Sequence, residues 1–339
     1  MNDWKAVLKA DPTSWLLEEE NPSVRYVSLI DLLEKPGTDP EVKAARKAIM
    51  ERGVVPKILA KQRKGGYWEA AKDFYIRTKY KGTVWQLITL AELRAEGKDG
   101  RIKRACEFIL EHSQDRESGG FSYRSAESGG GDRERLLPCL TGNMVWSLIR
   151  FGCLDDPRVQ RGIEWITKYQ RFDDGMKEIP SGWPYDRFEK CWGRHTCHMG
   201  VVKAVKALAE IPLDRRSHDV KDTVEKGVDY LLKHHVYKRS HHLDRASKPE
   251  WLRFGFPLMA NTDVLEILGI MARLGCRDER MKEAVDLLIS KQDGQGRWKL
   301  ESTFNGRVQV NIEQKGKPSK WITVNALSVL KRFHSPTQT

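Results

Sequence analysis

Two kinds of helical segment alternate along the chain. Segments of the first kind are apolar on almost every side, which is typical of buried helices. They span residues 84–93, 144–151, 201–208 and 264–274. Segments of the second kind are amphipathic and charged, and they span residues 101–112, 157–169, 220–234 and 279–291. The alternation predicts helical hairpins with one buried and one outer helix each. Residues 307–312 instead show the apolar–polar alternation of a strand.

Two sequence markers recur in phase with these segments. Glycine-containing turns follow four glutamines at steps of 52, 56 and 122 residues, the last being close to two periods: Gln62, Gln114, Gln170 and Gln292. Small or polar residues begin the apolar segments at steps of 58, 57, 64 and 61 residues: Thr83, Thr141, His198, Thr262 and Thr323. A chain of 339 residues holds close to six such repeats.

The repeat predicts an all-α fold, an (α/α)6 barrel or toroid of six helical hairpins. We expect one domain over residues 1–335 and a disordered tail at residues 336–339. An open helical solenoid would satisfy the same repeat, but it would need more polar end repeats than this chain has.

Composition narrows the class of protein. Lysine and arginine total 59 against 47 aspartates and glutamates, a net charge of +12. The basic residues are mixed with acidic ones, so we expect no nucleic-acid partner; a basic cavity or rim that attracts an anionic substrate is the alternative. No stretch approaches the roughly 18 apolar residues of a membrane span, and the N-terminus lacks a signal-peptide pattern. Six scattered cysteines without a CxxC pair fit reduced thiols, so we expect a cytoplasmic protein.

Two glutamine turns carry a family resemblance. Residues 62–68 (QRKGGYW) and 292–298 (QDGQGRW) both match QxxxGxW, and the turns after Gln114 and Gln170 are degenerate copies. The chain thereby resembles the prenyltransferase and squalene-oxidase repeat group of terpenoid cyclases and protein prenyltransferases. The resemblance implies the α/α toroid. It also implies that the glutamine ends an outer helix and the aromatic ring packs on the next turn, without a catalytic role.

The acidic and zinc motifs of that group are missing. No DxDD sequence for protonating an alkene or epoxide occurs, since the pairs Asp155-Asp156 and Asp173-Asp174 lack the first aspartate. No DDxxD sequence for a metal-bound diphosphate occurs either. None of the cysteines has an aspartate two places before it, as protein prenyltransferases require of their zinc site.

A local resemblance to lanthipeptide cyclases points to a different zinc site. Those toroid enzymes hold zinc with one cysteine before an inner helix and a Cys-His pair before the next. Here Cys139 and the pair Cys197-His198 occupy such slots one repeat apart. Two thiolates and one imidazole would leave one position open for a substrate thiol or water. The alternative is that both cysteines only pack and His198 only caps a helix; Cys191 and His195 are nearby alternative ligands.

Other candidate residues surround this stretch. His195 and Asp263 are candidate acid–base residues, although Asp263 also suits a helix cap. Residues of the preceding long loop are candidates for substrate binding: Trp183, Tyr185, Trp192 and Arg194. Aromatic residues at the starts of inner helices either line an apolar pocket or belong to the core. We interpret the pairs His234-His235 and His241-His242 as a solvated basic loop.

The sequence therefore favours a terpenoid cyclase- or prenyltransferase-like enzyme, of transferase or cyclase/lyase type. It would act on an isoprenoid-like or thiol-bearing substrate in a central cavity, with zinc as a candidate cofactor. The partner would be a small molecule or peptide, and nothing indicates an oligomeric state. Two alternatives stay open. One is a non-catalytic toroid that binds an apolar ligand or a protein, since repeat folds often persist after catalytic activity is lost. The other is a polysaccharide-processing toroid.

Overall fold

The computed structural model describes residues 4–334. In chain order its α-helices are α1 (Thr13–Leu16), α2 (Pro22–Val27), α3 (Pro40–Glu51), α4 (Val54–Leu59), α5 (Thr83–Glu92), α6 (Gly100–His112), α7 (Pro138–Arg150), α8 (Pro157–Tyr169), α9 (Glu189–Trp192), α10 (His198–Ala209), α11 (His218–Lys233), α12 (Val264–Arg273), α13 (Lys282–Ser290) and α14 (Lys320–His334). A π-helical turn, Ser28–Leu32, continues α2. Two short strands, β1 (Lys238–Arg239) and β2 (His242–Ala246), form an antiparallel hairpin.

The helices form two concentric layers. The inner layer comprises α2 with its π turn, α5, α7, α10, α12 and α14, and the outer layer comprises α3–α4, α6, α8, α11 and α13. Helices α7 and α10 are buried along almost their whole length, whereas α8 and α11 bury one face only. The predicted all-α toroid is confirmed. The single-domain prediction stays a prediction, and residues 336–339 lie outside the described part.

The ring closes because its last inner helix meets its first. Helix α14 packs against α12 on one side and against α2 and its π turn on the other. The N-terminal segment lies where a sixth outer helix would complete the outer layer. Gln292 Nε2 donates to the carbonyl of Val7 at 3.1 Å, and Gln292 Oε1 accepts from the amide of Lys9 at 3.1 Å. The N-terminal residues therefore complete the outer layer.

The recurring glutamines join successive outer helices. Gln62 Nε2 donates to the carbonyl of Arg101 at 2.8 Å, and Gln114 Nε2 donates to that of Arg158 at 2.7 Å. Each acceptor lies in the first turn of the next outer helix. Gln170 departs from this pattern, since its amide bonds the neighbouring Arg171 carbonyl at 2.7 Å.

The glycine turns and the residues that begin the inner helices recur in phase because they form hydrogen bonds with each other. The amides of three aromatic residues that end the glycine turns donate to threonine hydroxyls at the starts of inner helices. The pairs are Trp68–Thr83 at 3.2 Å, Phe121–Thr141 at 2.9 Å and Trp298–Thr323 at 3.0 Å. In each turn a glycine approaches the next outer segment; a Cβ at Gly66, for example, would lie 2.4 Å from the carbonyl oxygen of Arg104. These contacts give the markers a structural role.

The predicted strand at residues 307–312 is wrong. The segment is a loop whose backbone bonds side chains and a neighbouring loop instead of a partner strand. The carbonyl of Arg307 accepts from the amide of Tyr80 at 3.2 Å, and the carbonyl of Gln309 accepts from the Lys61 ammonium group. Within residues 4–334, no helix is long and apolar enough to cross a membrane.

Candidate functional site

A cavity of about 170 Å³ lies inside the ring of inner helices. Phe256 and Trp321 line the part near the helix N-termini, and Trp146 lines the cavity closer to the C-terminal end of α7. The rings of Phe256 and Trp321 stack with centroids 4.4 Å apart and an interplanar angle of 8°. Charged side chains line the rest. The cavity therefore joins an apolar, aromatic end to a strongly polar end.

Asp263 lies at the aromatic end of this cavity. It is the N-cap of α12 and is only 1% exposed. Its Oδ1 accepts from the amide of Glu266 at 2.8 Å, and its Oδ2 accepts from the amide of Gly255 at 2.9 Å. Burial raises the pKa of Asp263 to about 7, although the two amides and Lys203 favour the ionised form. Asp263 thus caps a helix and also faces the cavity; its catalytic role stays a prediction.

A buried ionic network crosses the cavity beside Asp263. The ammonium group of Lys203 bonds both carboxylate oxygens of Glu266, and Lys206 bonds Glu92 at 2.6 Å and Glu266 at 2.9 Å. Burial opposes ionisation of Glu266, but the two ammonium groups lower its pKa to about 2. The Lys206 ammonium also lies 3.8 Å from the centre of the Trp146 ring. The sequence analysis did not predict this network. The feature of the sequence that indicates it is the presence of charged residues within otherwise apolar helices.

Arginines dominate the opposite end of the cavity, where the inner helices end. Glu210 accepts from Arg150 at 2.9 Å and lies 3.6 Å from Arg273. Asp31 lies 3.9 Å from Arg94 and 3.4 Å from Arg332. Four guanidinium groups thus share two carboxylates. This rim carries an excess of positive charge, of the kind that attracts anions.

The residues of the predicted zinc site do not meet at one point. Burial raises the pKa of Cys139 to about 12, and the nearby Cys197 thiol adds to the shift. The His198 ring instead packs against Tyr230, His234 and Trp251, with centroids 4.6–5.3 Å apart. No group of three His, Cys, Asp or Glu residues between 4 and 334 is placed to hold a metal ion. Zinc at Cys139, Cys197 and His198 stays a prediction without structural support.

The predicted substrate-binding loop packs against α8 of the outer layer. Trp192 is buried against Trp165 and Tyr185, with ring centroids 6.1 and 5.4 Å away. Trp183 packs edge-on against Tyr169 at 5.1 Å and carries the Arg133 guanidinium on its ring at 4.3 Å. Neither these residues nor Arg194 and His195 line the central cavity. Substrate binding by Trp183, Tyr185, Trp192 and Arg194 stays a prediction.

His195 belongs to a separate cluster around Asp174. Its Nδ1 lies 3.4 Å from Asp174 Oδ1, and His241 Nε2 lies 3.4 Å from Oδ2. His234 Nε2 lies 3.9 Å from Oδ1 and is buried. The expectation that the histidines of residues 234–242 form a solvated loop is therefore wrong for His234, and His241 faces a buried carboxylate.

Comparisons with known proteins give remote structural similarities. No protein-family model and no curated protein matches the chain. The chain is similar to a variant of the type II terpene cyclase MstE from Scytonema, solved with geranylgeranyl dihydroxybenzoate, with TM-score 0.42, 15% identity and coverage of 93% of this chain and 87% of that one. It is similar to a protein from Actinoplanes with TM-score 0.31, 11% identity and coverage of 86% and 100%.

A third similarity is to Salmonella alpha-2-macroglobulin reacted with methylamine, with TM-score 0.31, 13% identity and coverage of 84% of this chain and 17% of that one. At identities of 15% or less and TM-scores of 0.42 or less, these similarities carry no information about the activity of this chain.

Proposed function

We propose that the chain is an enzyme that holds an isoprenoid-like small molecule in its central cavity and uses Asp263 as a proton donor to start a cyclisation or isomerisation. The observation that carries the proposal is a buried carboxyl group with a pKa of about 7 at the aromatic end of that cavity. A group with such a pKa is about half protonated at neutral pH, which suits general acid–base catalysis. The resemblance of the glutamine turns to the terpenoid cyclase repeat points the same way.

The pKa of Asp263 favours an oxygen-bearing substrate. An acid of pKa about 7 is too weak for an isolated alkene, which is a feeble base, whereas the oxygen of an epoxide accepts a proton more readily. The proton would pass from the Asp263 carboxyl to the epoxide oxygen. As the C–O bond breaks, a neighbouring alkene π bond would attack the released carbon, and loss of a proton to a base would end the sequence. The amides of Gly255 and Glu266 would hold the Asp263 carboxylate that remains.

The aromatic end suits the cationic intermediates of such a reaction. Ring faces attract cations through their quadrupole, and the attraction is strongest in a desolvated site. Phe256 and Trp321 both line the cavity near Asp263. The cavity volume of 170 Å³ is below the roughly 300–1,000 Å³ of small-molecule sites. The cavity must therefore widen when such a substrate enters.

One observation favours a second function, a toroid that binds an apolar ligand without chemistry. The Lys206 ammonium already covers a face of the Trp146 ring, and two ion pairs with Glu92 and Glu266 occupy the same region. A fixed positive charge beside an aromatic ring would oppose a carbocation there. Binding without turnover would follow from this arrangement.

The test compares the parent chain with Asp263→Ser. Serine keeps an N-cap oxygen for α12 but has no acidic proton. Each protein is incubated with geranylgeraniol and with its terminal epoxide, and products are identified by gas chromatography and mass spectrometry. We expect the parent to cyclise the epoxide, and the variant to do so about 10²–10⁴-fold more slowly with unchanged circular dichroism. Equal rates in both proteins would overturn the proposal. Binding of the epoxide by the parent without any product would support the second function.

A further inference from the structure

The carboxylate of Asp174 is enclosed by imidazoles from three other segments of the chain. Asp174 follows α8, His195 precedes α10, His234 follows α11, and His241 lies in the turn between β1 and β2. We call these four residues the Asp174 cluster. The Asp174 side chain is only 6% exposed, and three imidazole nitrogens lie 3.4–3.9 Å from its oxygens. The central reaction proposed above uses none of these groups.

His234 has the arrangement of a metal ligand. Its Nδ1 lies 2.8 Å from the carbonyl oxygen of Lys238, which can only accept, so Nδ1 carries the proton. The Nε2 atom therefore presents a lone pair; it is buried and has no hydrogen-bond partner. Metal-binding histidines characteristically donate their other ring N–H to a carbonyl or carboxylate in this way. Burial also lowers the pKa of His234, which favours the neutral form that binds metals.

Asp174 supplies the negative charge that a cation needs. Burial opposes its ionisation, but the Ser240 hydroxyl and neighbouring basic groups lower the pKa of Asp174. The Lys233 ammonium lies 3.4 Å from its Oδ2 and balances part of the charge in the metal-free chain. Because the Lys233 side chain is largely exposed, it can move into solvent when a cation binds.

We propose that Asp174 and His234 form the fixed half of a binding site for a divalent transition-metal ion, with Zn²⁺ the best fit, and that His195 and His241 complete it. Ligand atoms around a tetrahedral ion with bonds of about 2.0–2.1 Å lie about 3.3 Å apart. The nitrogens of His195 and His241 already lie 3.4 Å from the two Asp174 oxygens.

The ion must draw the last two ligands inward. As they stand, no three donors in the described part of the chain surround one point. The side chains of His195 and His241 are 65% and 63% exposed, so they can rotate without disturbing the core. Bound metal would tie the loop after α8 to the β1–β2 hairpin, at the end of the barrel where the inner helices begin. This site is distinct from the cysteine site predicted from the sequence.

The test uses zinc and cobalt on the full, untagged chain after treatment with a chelator. Titration calorimetry with ZnCl₂ compares the parent with His241→Ala and, as matched controls, with His235→Ala and His242→Ala, the adjacent histidines outside the cluster. We expect one zinc per chain, an affinity lowered by ~10–100-fold or more in His241→Ala, and no change in the controls. His195→Ala should behave like His241→Ala. Both substitutions lie on exposed side chains, so they leave the fold intact.

Cobalt distinguishes this site from a cysteine site. Co²⁺ held by imidazole and carboxylate shows visible d–d bands without the intense near-ultraviolet absorption that thiolate ligands produce. We expect the first spectrum in the parent chain and its loss in His241→Ala. No saturable zinc binding, equal weakening by His241→Ala and His242→Ala, or a thiolate absorption band would each overturn the proposal.

Discussion

The ammonium group of Lys203 donates to both carboxylate oxygens of Glu266, at 2.8 and 2.7 Å, inside the ring of inner helices. The pair joins α10 to α12, and Lys206 extends it to Glu92 of α5. Three of the inner helices are thus linked by largely buried charges, of which Lys203 is fully buried. A buried ion pair is costly to break from one side, because the remaining charge stays desolvated.

Removing Lys203 should therefore destabilise the fold strongly. In Lys203→Met the Glu266 carboxylate keeps only Lys206, which it shares with Glu92, so the network carries one uncompensated negative charge. We expect the free energy of unfolding to fall by about 3–5 kcal/mol, measured by urea denaturation with tryptophan fluorescence. Lys226→Met is the matched control, because Lys226 pairs with Asp222 at 2.7 Å on the exposed surface of α11. Its cost should stay near 0.3–0.5 kcal/mol. Equal costs would contradict the structural role given to the buried pair.

The free energy of unfolding should also depend on pH through the titration of Asp263. Its pKa rises from 3.8 to about 7 on folding, so the folded chain binds this proton more tightly than the unfolded chain. The stabilisation that this tighter proton binding gives the folded chain is fully present below about pH 4, and it is lost as the pH rises to about 7. The slope for one proton is at most about 1.4 kcal/mol per pH unit. Asp263→Asn should remove this slope from the curve of unfolding free energy against pH.

The difference between the two proteins isolates the contribution of Asp263 from that of the other titratable groups. Curves for the parent and Asp263→Asn are measured by urea denaturation between pH 4 and 8 and subtracted. Parallel curves would show that the Asp263 pKa is not raised by folding. If Asp263 is the proton donor of the reaction, the rate should also fall above pH 7, as its protonated form disappears.

The helices were predictable from sequence because their signals are local. Helical periodicity, the Gln62 and Gln292 turns and the threonines that begin inner helices all lie within short windows, and they indicated the toroid. The Lys203–Glu266 pair was not predictable, because its partners are 63 residues apart and lie on different helices. The Asp174 cluster was missed for the same reason, since its members come from four segments. The strand prediction for residues 307–312 was wrong because apolar–polar alternation does not show whether a partner strand exists.

Ring closure through the N-terminal segment gives another prediction. Gln292 bonds the backbone of Val7 and Lys9 with its amide group, whereas Gln170 bonds only its own neighbour, Arg171. Gln292→Ala should therefore release residues near the N-terminus and make them more accessible to trypsin. Gln170→Ala is the control and should leave the cleavage rate there unchanged. Each lost hydrogen bond costs about 0.5–1.5 kcal/mol, so the release should be local rather than a loss of the fold. Identical cleavage in both variants would contradict closure through Gln292.

The cysteines should differ sharply in reactivity. The neighbouring thiol of Cys106 lowers the pKa of Cys153, which is only half-buried. Burial raises the pKa of Cys139 to about 12, so almost none of it is thiolate at neutral pH. Because the thiolate is the nucleophile, iodoacetamide at pH 7.5 should modify Cys153 first and Cys139 last. Peptide mass spectrometry over a time course gives the order.

The same experiment bears on the zinc prediction. In Cys106→Ala this neighbouring thiol is lost, and alkylation of Cys153 should slow while that of Cys139 stays unchanged. If Cys139 instead reacted early, its thiol would be more accessible and more acidic than its burial implies. A thiolate at Cys139 would then restore the case for a metal site with Cys197. Slow alkylation of Cys139 before and after treatment with a chelator would place that cysteine in the core, as its packing at the start of α7 indicates.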